Sequence, residues 1–258
     1  MKIAVSGKGG VGKTTFSAVL SRLYAEEGKS VLAVDADPDA NLGLALGFTP
    51  EEVAEIVPIS EMKQLAAERT GSSADNFGKF FKINPRVDDI PDKYSKKVNG
   101  VKLLTLGTVD TGGSGCVCPE HVILKRIISH LVLHSDDVVI MDMEAGIEHL
   151  ARGTADSVDA FIVVIEPGAR SIQTYKKVKQ LAMDLGVTEV KVVANKVRDE
   201  QDEKFIMDNI GEDLLGFVHY NQEVIDADRQ GKSPFDFSDK AIEEIKAIKQ
   251  KIDNKLTK

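Results

Sequence analysis

The sequence is short of three features that would assign it to large classes of protein. No apolar run in its 258 residues approaches membrane-spanning length. The first predicted strand follows Met1 directly, so we expect no signal peptide. Only two cysteines are present, so a disulfide framework is excluded and we expect thiols in a reducing cytoplasm. The chain also has fewer positively than negatively charged side chains. Its net charge of −8 argues against a general nucleic-acid or anionic-membrane binder.

Internal repeats and low-complexity linkers are absent too. We therefore predict a single domain over residues 1–258, a length that suits one large α/β core. The pattern loosens over about 49–100, where residues 51–69 are predicted to be helical and the part after Gly71 is rich in Gly, Ser, Asn and Pro. We predict a flap or insertion here that contacts a partner. The phenylalanines in it would equally suit a small core of their own; they are Phe77, Phe80 and Phe81.

A glycine-rich stretch follows the first predicted strand, Lys2–Val5. It fits the pattern Gly-x-x-x-x-Gly-Lys-Thr and reads Gly7-Lys8-Gly9-Gly10-Val11-Gly12-Lys13-Thr14-Thr15. Apolar residues then recur at helical spacing until Gly28. A strand, a glycine loop and a helix in this order predict a P-loop, in which backbone N–H groups and a helix N-terminus bind phosphate oxygens.

The P-loop pattern predicts a role for each polar residue in it. Lys13 is expected to contact the β- and γ-phosphates of ATP, and Thr14 to place its hydroxyl on Mg²⁺. The other phosphate oxygens of ATP or ADP are expected to bind the backbone amides of Gly9, Gly10, Val11, Gly12, Lys13, Thr14 and Thr15. Lys8 is an additional cation, which is favourable only beside much negative charge on this nucleotide or a partner's. The alternative interpretation is that Lys8 is a solvated residue of the loop.

The remaining apolar runs alternate with helical patterns. Buried strands are predicted at 29–35, 102–106, 138–142, 160–165, 190–194 and 214–218. This order predicts the α/β class, with a doubly wound, mostly parallel sheet, helices on both faces and the P-loop at the first turn, as in P-loop NTPases. Asp142 ends one of these strands in the manner of a Walker B acid, and we predict that it holds the Mg²⁺ shell through water.

With its early lysine, the P-loop resembles the deviant Walker A family of chromosome-partitioning, division-site-selecting, nitrogenase iron-protein and arsenite-pump ATPases. The resemblance covers nearly the whole chain. In that family the early lysine reaches the other subunit's nucleotide, which implies that Lys8 couples ATP binding to formation of a homodimer. The resemblance also implies that Asp37 orients the attacking water, that Asp35 helps to hold the Mg²⁺ shell, and that Asn195 contacts adenine. Taken alone, Asn195 would also suit a turn at a strand end.

A pair of cysteines, Cys116 and Cys118, precedes a helix that is predicted to begin at Pro119. The partial positive charge at a helix N-terminus favours the thiolate, which is the form that binds metal. A disulfide between the two would be strained. Since a closed thiolate site usually has about four ligands, two chains related by a two-fold axis would be needed to complete it.

The surroundings of the pair, Gly-Cys-Val-Cys-Pro-Glu, and the later segment 143–150 resemble the accessory ATPases that mature carbon monoxide dehydrogenase and acetyl-CoA synthase. That subfamily binds nickel, and can bind zinc, at a Cys-x-Cys pair shared across the dimer. The resemblance therefore implies Ni²⁺ or Zn²⁺ at Cys116 and Cys118, and the apoprotein of a nickel enzyme as partner. Thiolate chemistry alone does not choose among nickel, zinc and Cu(I).

These features predict a Mg²⁺-dependent ATPase whose dimer closes on ATP, completes a four-thiolate nickel site and opens after hydrolysis. Two alternatives remain, namely a positioning ATPase that associates with membrane or DNA, and an iron–sulfur carrier that uses the same cysteines. The membrane alternative depends on the C-terminal amphipathic helix, whose apolar residues are Ile242, Ile245, Ile248, Ile252 and Leu256. Glu243 and Glu244, together with the absence of Trp and Phe from this helix, favour packing on the domain instead.

Overall fold

The computed structural model describes residues 1–72, 82–107, 119–135, 137–144 and 158–256. The strands within these ranges are β1 (Lys2–Ser6), β2 (Val31–Ala36), β3 (Lys96–Val98), β4 (Val101–Thr105), β5 (Val138–Met143), β6 (Ala160–Ile165), β7 (Val190–Val197) and β8 (Leu214–His219). They form one eight-stranded sheet in the order β3-β4-β2-β5-β1-β6-β7-β8. Every neighbouring pair is parallel except β3 and β4, which are antiparallel.

The α-helices of the same ranges are α1 (Lys13–Glu26), α2 (Leu42–Leu46), α3 (Pro50–Ala54), α4 (Lys63–Thr70), α5 (Ile90–Tyr94), α6 (Pro119–His134), α7 (Ala169–Asp184), α8 (Glu200–Ile210), α9 (Gln222–Arg229) and α10 (Asp239–Leu256). Short 3₁₀ turns lie at Ile59–Glu61, Gly211–Asp213 and Pro234–Asp236. The start of α6 at Pro119 confirms the predicted helix start. Among these helices none is both long and apolar enough to cross a bilayer.

The helices cover both faces of the sheet. Successive side chains of a strand point to opposite faces, and in β1 Ile3 and Val5 belong to one buried cluster while Ala4 belongs to the other. The first cluster contains side chains of α1, α2 and α10, and the second contains side chains of α4, α6, α7 and α8. The doubly wound, mostly parallel fold predicted from the sequence is therefore confirmed.

The segment between β2 and β4 differs from its prediction. Residues 51–69 were predicted as one helix, but α3 and α4 are separate, with a 3₁₀ turn between them. Pro58 explains the break, because proline lacks the N–H that a continuing helix needs and clashes with the preceding turn. Leu65 and Ile90 of this segment are buried in the main core. Phe77, Phe80 and Phe81, assigned to the predicted flap, lie outside the described residues.

The C-terminal helix packs on the domain, as the sequence predicted. Ile245, Ile248 and Ile252 are almost completely buried in the cluster that contains α1 and α2. The buried ammonium of Lys249 contacts the carboxylate oxygens of Glu27 at 2.7 and 2.8 Å and of Asp253 at 2.8 Å. These contacts join the last helix to the helix that carries the P-loop.

Candidate nucleotide-binding site

The P-loop connects β1 to α1 and requires glycine at two positions. Gly7 and Gly12 have φ angles of 151° and 94°, which residues with a side chain rarely adopt. A Cβ atom on Gly7 would lie 2.3 Å from the carbonyl oxygen of Val164, and one on Gly12 would lie 2.1 Å from the Nδ2 atom of Asn195. Both contacts are far inside van der Waals distance, so these glycines let the loop pack against the ends of β6 and β7.

A cavity of about 680 Å³ opens above this loop. Its volume lies within the usual range for sites that bind a small molecule, about 300–1,000 Å³. The P-loop side consists of Gly9, Gly10, Gly12, Lys13, Thr14 and Thr15. The other walls consist of Asp37, Asp39, Asn41, Leu44, Ala45, Glu144, Lys196, Val224, Ile225, Asp228, Gly231, Lys232 and Pro234.

Lys13 and Asp37 form an ion pair at the floor of the cavity. The Nζ atom of Lys13 is buried and lies 3.6 Å from Oδ2 of Asp37. Burial of an ammonium requires a nearby counter-charge, which Asp37 supplies in this state of the protein. A phosphate group on the loop would compete with Asp37 for Lys13 and could release the carboxylate toward a water molecule.

Asp35 and Asp142 face each other in the paired strands β2 and β5, and both are only 1% exposed. Burial, with a smaller contribution from the charge of Asp142, raises the pKa of Asp35 to about 7. Burial also raises the pKa of Asp142 to about 6, against the opposing effects of Thr14 and Lys13. Within the described residues, Oδ2 of Asp142 accepts no hydrogen bond. An unpartnered buried carboxylate oxygen and two disfavoured negative charges fit the binding of a divalent cation such as Mg²⁺ at this end of the sheet.

Asp35 has a second role that the sequence did not indicate. Its Oδ2 atom accepts a hydrogen bond from the N–H of Leu42 at 3.0 Å, and its Oδ1 atom accepts one from the N–H of Asp37 at 3.3 Å. The carboxylate therefore holds both ends of the loop that presents Asp37 to Lys13. No local sequence pattern predicts the contact between Asp35 and Leu42. The two residues are seven positions apart, and only the path of the loop brings them together.

Lys8 is exposed, and within the described ranges no carboxylate lies within ion-pair distance of its ammonium group. The backbone carbonyl oxygen of Lys8 accepts a hydrogen bond from the N–H of Val11 at 3.4 Å. Glu144 is exposed at the cavity wall, and its carbonyl oxygen accepts a hydrogen bond from the hydroxyl of the buried Ser6.

Asn195 lies at the end of β7, beside the P-loop. Its Nδ2 atom donates a hydrogen bond to the carbonyl oxygen of Val11 at 2.7 Å, and Asn195 is not among the residues that line the cavity. Contact between Asn195 and adenine therefore stays a prediction. Three residues of α9 also line the cavity, and sequence reasoning missed them: Val224, Ile225 and Asp228.

The predicted metal ligands Cys116 and Cys118 lie outside the described residues, as do residues 145–150 of the segment that resembles the accessory ATPases. Among the residues that the structure does describe, no group of three or more His, Cys, Asp and Glu side chains is arranged to hold a metal ion. Lys196, which follows Asn195, also contacts the P-loop, and sequence reasoning did not predict this contact. Lys196 lies near the end of β7, and no local sequence pattern there predicts a contact with the P-loop.

Residues 2–235 match the model of a protein family described as the CobQ/CobB/MinD/ParA nucleotide binding domain. The chain is 48% identical to the uncharacterized ATP-binding protein MJ0823 of Methanocaldococcus jannaschii, with 96% of each chain covered. It is 47% identical to the carbon monoxide dehydrogenase accessory protein CooC of Rhodospirillum rubrum, covering 92% of this chain and 90% of that one. The septum site-determining protein MinD of Bacillus subtilis is 28% identical over 89% of this chain and 80% of its own.

Solved structures share the fold. The MinC:MinD cell division protein complex of Aquifex aeolicus matches with a TM-score of 0.69 and 22% identity, covering 98% of this chain and 96% of that one. MinD of Pyrococcus horikoshii, complexed with Mg-ADP, matches with a TM-score of 0.66 and 23% identity over the same shares. At these identities the likeness establishes the architecture alone.

Proposed function

Because the chain belongs to the CobQ/CobB/MinD/ParA family of nucleotide-binding domains, we propose that its ATP hydrolysis drives a dimerisation cycle that delivers nickel to carbon monoxide dehydrogenase or acetyl-CoA synthase. That the chain is a P-loop ATPase follows from the family and from its 47% identity to CooC. The same identity is the observation that carries the proposal, since it extends over 92% of this chain and 90% of the relative.

The site supports the hydrolytic part of the cycle. Lys13 and the amides of Gly9 to Thr15 would bind the phosphates, and Asp37 would orient the attacking water once a phosphate replaces it at Lys13. Thr14, Asp35 and Asp142 would hold Mg²⁺, which neutralises phosphate charge when it is bound. A carboxylate is adequate at the position of Asp37, because phosphoryl transfer depends on orientation more than on a strong base.

The coupling to dimerisation is assigned to Lys8. This lysine is exposed beside the cavity, and in the described part of the chain it has no ion pair. A cation so placed can bind phosphate oxygens of a nucleotide held by a second copy of the chain. ATP would then stabilise the dimer because the triphosphate carries more negative charge than the diphosphate.

Nickel is assigned to Cys116 and Cys118 as the cargo of the cycle. The two residues immediately precede α6, which begins at Pro119. One chain offers two thiolates, so a two-fold dimer would offer four, the usual number for a closed thiolate site. Zinc could take the same ligands, and the apoprotein of the nickel enzyme would receive the metal when hydrolysis opens the dimer.

The test is nickel binding by equilibrium dialysis of the full chain, with Mg²⁺ and either ADP or a non-hydrolysable ATP analogue. We expect one nickel ion per two chains with the analogue, and loss of this binding in Cys116→Ser and in Cys118→Ser. His149→Gln serves as the control, since histidine is a metal-binding residue type and His149 is not predicted to be a ligand. Unchanged nickel affinity and stoichiometry in Cys116→Ser would refute the shared thiolate site.

A further inference from the structure

The backbone of Leu106 joins the end of β2 to the 3₁₀ turn at Ile59–Glu61. Its N–H donates to the carbonyl oxygen of Asp35 at 2.8 Å, which continues the pairing of β2 with β4 beyond the last residue of β4. Its carbonyl oxygen accepts a hydrogen bond from the N–H of Ser60 at 2.9 Å. Leu106 is therefore bonded both to the strand that leads into the nucleotide site and to a turn of the segment between β2 and β4.

Ser60 occupies the position that Asp37 would take in a regular ladder. In a parallel pair, a residue that donates to one partner residue accepts from the residue two positions further along the same strand. Since Leu106 donates to Asp35, its carbonyl oxygen would accept from the N–H of Asp37 if the pairing continued. The N–H of Asp37 instead donates to Oδ1 of Asp35 at 3.3 Å. Ser60 therefore ends the ladder, and Asp37 leaves the sheet toward Lys13, whose Nζ atom lies 3.6 Å from its Oδ2 atom.

The same turn lies against the residue that follows Leu106. Gly107 has a φ angle of 68°, and a Cβ atom there would lie 2.3 Å from Oγ of Ser60 and 2.8 Å from Cβ of Pro58. Both distances are far inside van der Waals contact, so glycine lets the chain pass this close to the turn. The stretch that carries Cys116 and Cys118 begins directly after Gly107.

The turn also packs against the helix at the other end of that stretch. Ile59 is almost completely buried and belongs to the cluster that contains Ile123 and Ile127 of α6. The helix after the turn, α4, packs on α6 as well. Because α6 begins at Pro119, directly after Cys118, one turn packs against the chain both before and after the residues that carry the two thiols.

We propose that the Ile59–Glu61 turn couples the nucleotide site to the residues that carry the thiols. Asp37 has two arrangements, because it pairs with Lys13 in the nucleotide-free protein and is released when a phosphate group binds Lys13. A shift of the Asp37 loop acts on the end of β2, and the backbone of Leu106 transmits it to the turn. Coupling between distant sites requires an element with two arrangements and a rigid connection from it to the second site.

The rigid connection ends at Gly107 and at α6, on either side of the thiols. The turn packs closely on both, so it cannot shift without displacing at least one of them. This inference rests on the proposed function, because it takes Cys116 and Cys118 as the cargo site. Its test uses no metal, so that the coupling and the nickel site can fail separately.

Two alanine variants separate the contact at the turn from backbone strain. Gly107→Ala displaces the turn from Leu106, since its Cβ atom would overlap Ser60 and Pro58. Gly71→Ala is the matched control, because Gly71 has a φ angle of 71°, close to that of Gly107. A Cβ atom on Gly71 would meet no heavy atom of the described residues within 4 Å, its chain neighbours aside. Both variants carry the same backbone cost, so a difference between them reports the contact.

The readout is the rate at which a thiol reagent modifies the full chain with Mg²⁺ and either ADP or a non-hydrolysable ATP analogue. The chain has only two cysteines, Cys116 and Cys118, so the rate reports on these residues alone. Each variant is made in a Lys8→Ala parent, in which no partner subunit is expected to shield the thiols. We expect the rates with the two nucleotides to differ by about fivefold or more in the parent and in Gly71→Ala, the lower end of the usual coupling between sites, and by less than about twofold in Gly107→Ala.

Dissociation constants for both nucleotides and the thermal midpoint are measured on the same variants. Within the described residues, no member of the turn lines the cavity, so we expect the nucleotide affinities of Gly107→Ala to stay within about threefold of those of Gly71→Ala. Loss of nucleotide binding in Gly107→Ala would overturn the proposal, since the turn would then be part of the nucleotide site itself. An equal response of the thiols in the two alanine variants, or no response in the parent, would also overturn it.

A second variant decides the question if Gly107→Ala does not fold. Pro58→Gly adds no atoms at the turn and makes its backbone less rigid. We expect the ratio of the two thiol rates to fall to about half of the parent's value or less, with nucleotide affinity unchanged, because a less rigid connection transmits less of the shift. An unchanged ratio in folded Pro58→Gly would overturn the proposal.

Discussion

The site places two carboxyl groups, Asp35 and Asp142, where the folded chain disfavours their ionised forms. Each is buried at the carboxyl end of its strand, and the two side chains belong to paired positions. Folding alone therefore gains nothing from these charges. A divalent cation would compensate them, which gives a functional reason for their burial.

The raised pKa values predict a dependence of stability on pH. A carboxyl group whose pKa is higher in the folded than in the unfolded state stabilises the fold at low pH, and this contribution is lost as pH rises through the folded value. The pKa values of about 7 for Asp35 and about 6 for Asp142 place the loss between about pH 4 and pH 7. We expect the free energy of unfolding of the nucleotide-free protein to fall by a few kcal/mol over this window.

Urea unfolding between about pH 4.5 and about pH 7.5 covers this window, and Asp35→Asn isolates the effect from other titrating groups. The variant should show a shallower fall than the wild type. If both proteins showed the same slope, the charge of Asp35 would not be the cause.

Gly12 gives a second prediction at the residue scale. Alanine here would have to adopt a φ angle of 94° and would place its Cβ atom 2.1 Å from Asn195. We expect Gly12→Ala to lose ATP binding and to destabilise the fold by about 1–2 kcal/mol from the backbone conformation alone. Calorimetric ATP binding and denaturant unfolding measure both effects.

The matched control for Gly12→Ala is Gly168→Ala. A Cβ atom added at Gly168 would have no heavy atom of the described residues within 4 Å, its chain neighbours aside. We therefore expect this variant to bind ATP and to unfold like the wild type. Equal behaviour of the two alanine variants would contradict the argument from backbone conformation and close approach.

Strands and helices could be predicted from the sequence where a run of neighbouring residues shows a clear hydrophobic pattern. Buried parallel strands such as β6 appear as continuous apolar runs, and Ala160–Ile165 was predicted with its observed bounds. The hairpin of β3 and β4 was missed although Asn99-Gly100, with φ angles of 48° and 82°, is a typical hairpin turn. Its first strand has three residues, too few to show an alternating pattern.

The contact between α10 and α1 leads to a prediction at the element scale. Lys249 is 3% exposed and joins Glu27 of the α1 end to Asp253 of its own helix. Because both acids are partly exposed, we expect Lys249→Met to lower the free energy of unfolding by about 1.5–3 kcal/mol, the range for a hydrogen bond to a charged group. Denaturant unfolding measures the cost. Lys246→Met, at an exposed position of the same helix, should unfold like the wild type, and equal stability of the two variants would exclude a structural role for the Lys249 contacts.

At the scale of the whole molecule, the P-loop and the strand-end acids could be found from the sequence because each is defined by neighbours within a few residues. The wall of the cavity could not. Val224 and Asp228 approach the loop only because β8 and α9 follow β7 at the edge of the sheet, and Leu44 approaches because Asp35 holds the loop before α2. These contacts depend on the tertiary arrangement of elements that are each ordinary in sequence.

We predict that ATP joins two copies of this chain through Lys8. Molar mass measured by light scattering tests it directly, with the full chain in Mg²⁺ and a non-hydrolysable ATP analogue. We predict the mass of a dimer for the wild type and of a monomer for Lys8→Ala, while ADP leaves both monomeric and Lys177→Met, at an exposed lysine of α7, behaves as the wild type. A wild-type chain that stays monomeric with the analogue bound, or a Lys8→Ala variant that still dimerises, would contradict the account.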